Sequence, residues 1–221
     1  MSLLDFFIQY SPQLFSGAYI TVLVFACSSM LSIALAISAG LSKMAQIAPL
    51  RWVANIYVEL FRGTSLLVQL YWIFFVLPLF GLTIEKFTAG CLAIGLNIGA
   101  YGAELVRGAI LAVPKGQTEA AIALNMTTST RIRRIILPQA FLIALPAWGN
   151  LQIELLKATA LVALISVGDL MFEVRQINGV TYLSAQAFGA ALIIYYVLAR
   201  FLLTPAMRVL EMGMRRKLGG A

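Results

Sequence analysis

An all-α, membrane-embedded bundle of five spanning helices is the fold class this sequence predicts, and three observations predict it. The 221 residues are 61% hydrophobic and only 11% charged, whereas soluble domains carry roughly 45–50% apolar and about 25% charged residues. The apolar residues fall into runs long enough for a bilayer, which asks for about 20 per helix. The basic residues gather between those runs with a strong side bias. Of the sixteen Lys and Arg, eleven fall in segments that a five-span chain puts in the cytoplasm, two outside (Lys86 and Arg175), and three in or at the edge of spans (Arg62, Lys157 and Arg200). That asymmetry predicts an N-terminus outside and a C-terminus in the cytoplasm.

The elements follow in chain order. Residues 1–16 hold Leu3, Leu4, Phe6, Phe7, Ile8 and Tyr10 with no Lys or Arg. A secretory signal needs a basic start, so this segment reads as an interfacial helix retained in the mature protein. Span one covers about 17–41 and is followed by Lys43 and Arg51. Span two opens on a half-polar stretch, 52–64, with Glu59, Arg62 and Gly63, before the apolar run 66–80. Either a helix enters the membrane near Ser65 or a longer one bends at Gly63, and Pro78 and Gly81 mark its far end. Span three covers about 87–106, where Gly95, Gly99 and Ala103 form the small-residue spacing that lets helices approach closely. A basic island, 114–138, separates it from span four, about 141–167, and span five runs over about 187–209. A basic tail, 212–221, closes the chain. No repeat, low-complexity stretch or linker divides it, so 17–211 reads as one membrane domain.

Several function classes are excluded. There is no histidine, which removes His-based metal sites and Ser-His or Cys-His nucleophile pairs. No G-x-x-x-x-G-K-[ST] run is present, so any ATP must be bound by a partner chain. Cys27 and Cys91 lie inside apolar runs and read as small core residues rather than a disulfide framework. The net charge of +7 is explained by topology without a nucleic-acid partner. No cofactor is predicted.

The island holds the most specific pattern in the chain. Pro114 and Gly116 break the continuation of span three, Thr118 is a candidate N-cap for a short helix through Glu119, Ala120 and Ala121, and Asn125 stands at a turn. A second helix, capped by Thr127, Thr128 or Ser129, leads to Ile135, Leu137 and Pro138, with Pro138 ending or kinking it. Glu119-Ala120-Ala121, Asn125, Ile135, Leu137 and Pro138 resemble the coupling motif of ABC-importer permeases, EAA followed by Gly and I-x-L-P, with Asn125 in place of the usual Gly. Asn tolerates the left-handed backbone nearly as well as Gly does, so the turn is expected to survive. Phe61-Arg62-Gly63-Thr64, Leu66-Leu67-Val68-Gln69, Tyr101-x-x-Glu104-x-x-Arg107-Gly108 and Leu156-Lys157-x-Thr159 resemble phrases of the polar amino acid branch. Ser65, Ala158 and Ala160 depart from it, standing where Pro, Asp and Ser are usual.

The resemblance implies a type I ABC-importer permease in a bacterial inner membrane. It also implies two copies of a cytoplasmic ABC ATPase docked on the island, a second permease (identical or paralogous) and an external solute-binding protein. The cargo would be a polar amino acid or a similar small zwitterion such as ectoine, and the chain itself would be no enzyme. An ATP-independent secondary carrier is the rival reading, disfavoured by the absence of inverted repeats.

Three acidic–basic pairs stand three residues apart: Glu59/Arg62, Glu104/Arg107 and Glu154/Lys157. Such spacing puts both groups on one helix face. The first two sit near a predicted membrane boundary and read as local pairs. Glu154 and Lys157 fall at mid-span, where a charge costs on the order of 2.5–3.5 kcal/mol and usually faces a bundle interior or a wet cavity. With Gln152 and Thr159 they are candidates for a solute pathway, and a bracing role between helices stays open beside it.

Overall fold

The computed structural model describes residues 2–218, with side chains to residue 214. It is helical throughout, with no strand among the described residues. The three last residues of the basic tail, and the side chains of Arg215, Arg216 and Lys217, lie outside what it describes.

α1 (Leu3–Ser42) is a single helix of 40 residues. Residues 3–16 are therefore its opening turns and not a separate element. A capping box starts it: Asp5 N–H donates to Ser2 Oγ at 3.2 Å, and Ser2 N–H donates to Asp5 Oδ2 at 3.1 Å. Two of the orphan donors of the first turn are satisfied in this way. α2 (Ala48–Gly63) then stops at an extended Thr64. α3 (Leu66–Tyr71) continues through a π-turn, Trp72–Val76, and a 3₁₀ turn, Leu77–Phe80. The two arms, Ala48–Gly63 and Leu66–Phe80, meet at 107°. The bend falls at the Thr64–Ser65 link, where the half-polar stretch gives way to the apolar run. Gly81, at φ 81°, reverses the chain after it.

α4 (Lys86–Leu111) is the central helix and lies parallel along α1 through a line of glycines. A Cβ at Gly95 would stand 2.6 Å from Leu31, at Gly99 2.8 Å from Leu35, and at Gly102 2.6 Å from Ala36 and 2.7 Å from Trp148. The predicted small-residue face is thus where side chains of α1 close onto the backbone of α4. α5 (Lys115–Ala123) and α6 (Thr128–Arg131) build the island. A π-turn, Ile132–Ile136, joins α6 to α7 (Leu137–Ala158), which runs on as a 3₁₀ stretch, Thr159–Ile165. Pro138 follows directly on the π-turn, the kind of local widening that lets a helix carry a residue without an N–H. It neither ends nor breaks the rod: Thr128–Ile165 is continuous.

α8 (Leu170–Thr181) has no counterpart among the predicted elements. Asp169 caps it, accepting from Phe172 N–H at 2.9 Å, and Leu170 N–H donates to Thr21 Oγ1 on α1 at 3.0 Å. α9 (Ser184–Val197), a π-turn at Leu198–Leu203 and α10 (Thr204–Leu218) complete the chain. Among the described residues, four helices are long and apolar enough to cross a membrane, and the bent α2–α3 pair makes a fifth crossing if counted as one. The main core joins α1, α3, α4 and α7 through Val24, Leu70, Ile94 and Leu155. A second core, at the end away from the island, packs Phe6 and Leu14 of α1 on Leu170, Val174 and Ala190.

Candidate functional site

The island stands off the bundle at the far end of α4. α5 begins at Lys115 after Pro114, three residues before the expected cap, so Thr118 lies inside the helix and caps nothing. Proline before the first turn does the work of the start signal. The helix ends in a Schellman turn, with Met126 N–H donating to Ala121 O at 3.0 Å and Asn125 N–H to Ile122 O at 2.9 Å. This motif needs a left-handed residue just past the helix, and Asn125 supplies it at φ 56°. Thr127 caps α6 by accepting from Thr130 N–H at 3.4 Å.

The two alanines point in opposite directions. Ala121 is 1% exposed, packed against its own chain, while Ala120, Glu119, Ile122 and Leu124 face outward, Leu124 at 76%. The island therefore presents Ala120 and Leu124 outward, and Ala121 serves to seat α5. Ile135 and Pro138 are half-buried and Leu137 sits at the edge of exposure, so the second half of the motif anchors the island to α7.

The charged pairs divide cleanly. Glu104 receives Arg107 Nε at 3.0 Å and also Lys43 from the end of α1, an ion triad that joins two helices. Glu59 and Arg62 do not pair; Arg62 lies over the Tyr101 ring instead, 5.3 Å from its centroid. Glu154 and Lys157 are both exposed and make no ion pair among the described residues. Gln152 and Thr159 are buried on the other side of α7: Gln152 Oε1 accepts from Ser29 Oγ at 2.7 Å, and Thr159 Oγ1 donates to Leu156 O at 2.7 Å. The four candidate pathway residues thus do not converge on one cavity within a single chain. Two face outward, Gln152 ties α7 to α1, and Thr159 bonds back to its own helix.

Two polar residues at the α2–α3 break were not among the candidates. Gln69 and Asn97 are both buried and bonded to each other and to the broken backbone. The signal for Gln69 was its place eight residues after Phe61 in a recognised phrase, and Asn97 is the single amide on α4. No set of three or more metal-ligating side chains is assembled among the described residues.

Comparison with known proteins places this architecture. The family model for the binding-protein-dependent transport system inner membrane component matches residues 13–216. The L-cystine transport system permease protein TcyB of Bacillus subtilis (strain 168) is 38% identical, over 92% of this chain and 87% of its own length. The arginine transport system permease protein ArtQ of the same organism is 38% identical, over 86% of this chain and 88% of its own. A crystal structure of an amino acid ABC transporter with histidines contains a chain of the same fold, with TM-score 0.88, 36% identity, and coverage of 96% of this chain and 98% of that one.

Proposed function

This chain belongs to the family of binding-protein-dependent transport system inner membrane components, and on that premise we propose that it imports a polar amino acid or a closely similar zwitterion across a bacterial inner membrane. It acts as a permease subunit, paired with a second permease. Two ABC ATPase subunits dock on the island, and an external binding protein delivers the solute. The relatives named for cystine and arginine support an amino acid as cargo. Ala158, where the branch usually carries Asp, favours a solute with less cationic character than arginine, and ectoine is the alternative to compare against it.

One observation carries the reading: a short helix, closed by the left-handed Asn125, holds small and apolar side chains outward from the end of the most buried helix. Such a knob fits the groove of a partner and transmits force to the bundle's centre. The basic residues around it, Lys115, Arg131, Arg133 and Arg134, place it in the cytoplasm under the positive-inside rule. A reporter fused after Gln117 is then cytoplasmic, and one fused near Asn178 external.

The test is uptake into proteoliposomes holding permease, ATPase and binding protein. Ala120→Trp abolishes solute-stimulated ATP hydrolysis and uptake while the protein still inserts. Wild-type stimulation in that variant refutes the docking surface, and a periplasmic signal from the Gln117 fusion refutes the orientation.

A further inference from the structure

Where α2 stops, its last carbonyls have no following turn to receive hydrogen bonds, and such groups are costly away from water. Gln69 reaches back to them: its Nε2 donates to Phe61 O at 2.9 Å, Thr64 O at 3.2 Å and Thr64 Oγ1 at 2.7 Å. Asn97, from the middle of α4, donates through Nδ2 to the same Phe61 O at 2.9 Å and to Gln69 Oε1 at 3.1 Å. Thr64 Oγ1 in turn donates to Leu60 O at 2.7 Å. Leu60 O, Phe61 O and Thr64 O at the break are thereby met by side chains, and the amide that closes the set belongs to α4.

More ties run the same way. Tyr57 on α2 donates from its hydroxyl to Leu96 O on α4 at 2.7 Å. A Cβ on Gly99 would stand 2.9 Å from that hydroxyl. Arg62 covers the Tyr101 ring, and Val58 packs with Ala39 and Ala103. α2 is joined to α4 at four levels, whereas the backbone to α3 is a bare two-residue link.

We propose that Gln69 and Asn97 are positioning residues that weld the elbow of α2 to α4, so that α2 and α4 move as one body when the island is driven by the ATPase. α4 leads straight into the island, so this weld carries a displacement of α5 to α2 without loss in a flexing elbow. The inference rests on the importer reading above and adds to it which part of the bundle is rigid.

Two measurements test it. In Gln69→Leu and Asn97→Leu, each removing two or more of these hydrogen bonds, the maximal uptake rate falls about tenfold or more. The solute concentration for half-maximal uptake stays unchanged, since capture belongs to the external protein, and basal ATP hydrolysis persists. Uptake at the wild-type maximal rate overturns the proposal. The second measurement does not depend on those variants folding. Val58→Cys with Ala103→Cys, in a chain whose Cys27 and Cys91 are Ala, is oxidised with copper phenanthroline in the assembled transporter. Cross-linking α2 to α4 leaves uptake intact. Uptake blocked by the cross-link and restored by reduction, or no cross-link at all, overturns the proposal. Absence of ATP-dependent uptake in the unmodified complex instead refutes the importer reading, and cross-link formation remains readable there.

Discussion

α4 and the α7 rod are both long enough to span a membrane and both carry an acid and a base three residues apart, yet the bundle treats them in opposite ways. The apolar stretch of α4 is 67% buried, that of Thr128–Ile165 only 22%. Glu104 on α4 is held by Arg107 and Lys43, while Glu154 and Lys157 on α7 face outward without ion-pair partners among the described residues. The α4 backbone takes its neighbours' side chains directly at its glycines; Gly149 on α7 has nothing nearer its missing Cβ than Met207 at 3.7 Å. One helix is completed by its own chain. The other carries charge at mid-span that only a second surface, wet cavity or solute can complete.

That contrast can be broken by experiment. The largest effect is expected from neutralising the unpaired charges: Glu154→Gln with Lys157→Met should insert and assemble normally, keep basal ATP hydrolysis, and lose uptake by about tenfold or more. Retained uptake with unchanged solute dependence would leave both residues without a part in the solute's path. Next comes packing. Gly102→Ala forces a methyl to within 2.6 Å of Ala36 and should cost about 1–3 kcal/mol, visible as a lowered Tm in detergent. Gly149→Ala should leave Tm unchanged; an equal fall in both would mean that α7 is as tightly enclosed as α4.

A smaller effect is expected at Asp169, which is 0% exposed and faces the Tyr195 hydroxyl at 3.3 Å with no cation beside it. Burial pushes its carboxyl up from 3.8 to about 6, against the hydrogen bonds that lower it. Because the folded-state value is raised, the charged form weakens the fold above pH 6, and that cost fades as pH falls toward 4. Asn caps a helix as well as Asp does, so Asp169→Asn should raise Tm by a few degrees at pH 7 and by almost nothing at pH 4. A gain that is flat across pH would rule out the carboxylate as its source.

Much of this architecture was legible in the sequence because the membrane imposes simple lengths. Spans three, four and five announce themselves as apolar runs, and the island stands out by spacing and charge. Asn125 was readable as a turn because few side chains tolerate a left-handed backbone. What stayed hidden depends on direction and on three-dimensional neighbours. Ala120 and Ala121 are chemically identical, and only packing tells which faces a partner. Residues 1–16 look like a separate interfacial piece because Pro12 and the polar residues Gln9, Ser11 and Gln13 interrupt them, yet packing of Phe6 and Leu14 on α8 and α9 carries the helix straight through. α8 left a trace that was overlooked: Asp169 as cap, then Leu170, Val174 and Ile177 on one face. The equivalence of the mid-span residues failed for a geometric reason, since Gln152 and Glu154 are two positions apart and so lie on opposite sides of a helix.

The π-turn at Ile132–Ile136 sets an angle as well as a path. Each residue of an α-helix advances the azimuth by roughly 100°, and a π-turn holds one residue more than the α-turn it replaces. The turn therefore absorbs one residue that a plain α-helix would have to express as rotation. Deleting a single Ile from it would close it to an α-turn and leave α6 in phase with α7, whereas deleting a residue elsewhere on the rod would swing α5 and α6 by more than a quarter-turn. The outward aim of Ala120 and Leu124 is thus a matter of screw phase rather than of any one contact.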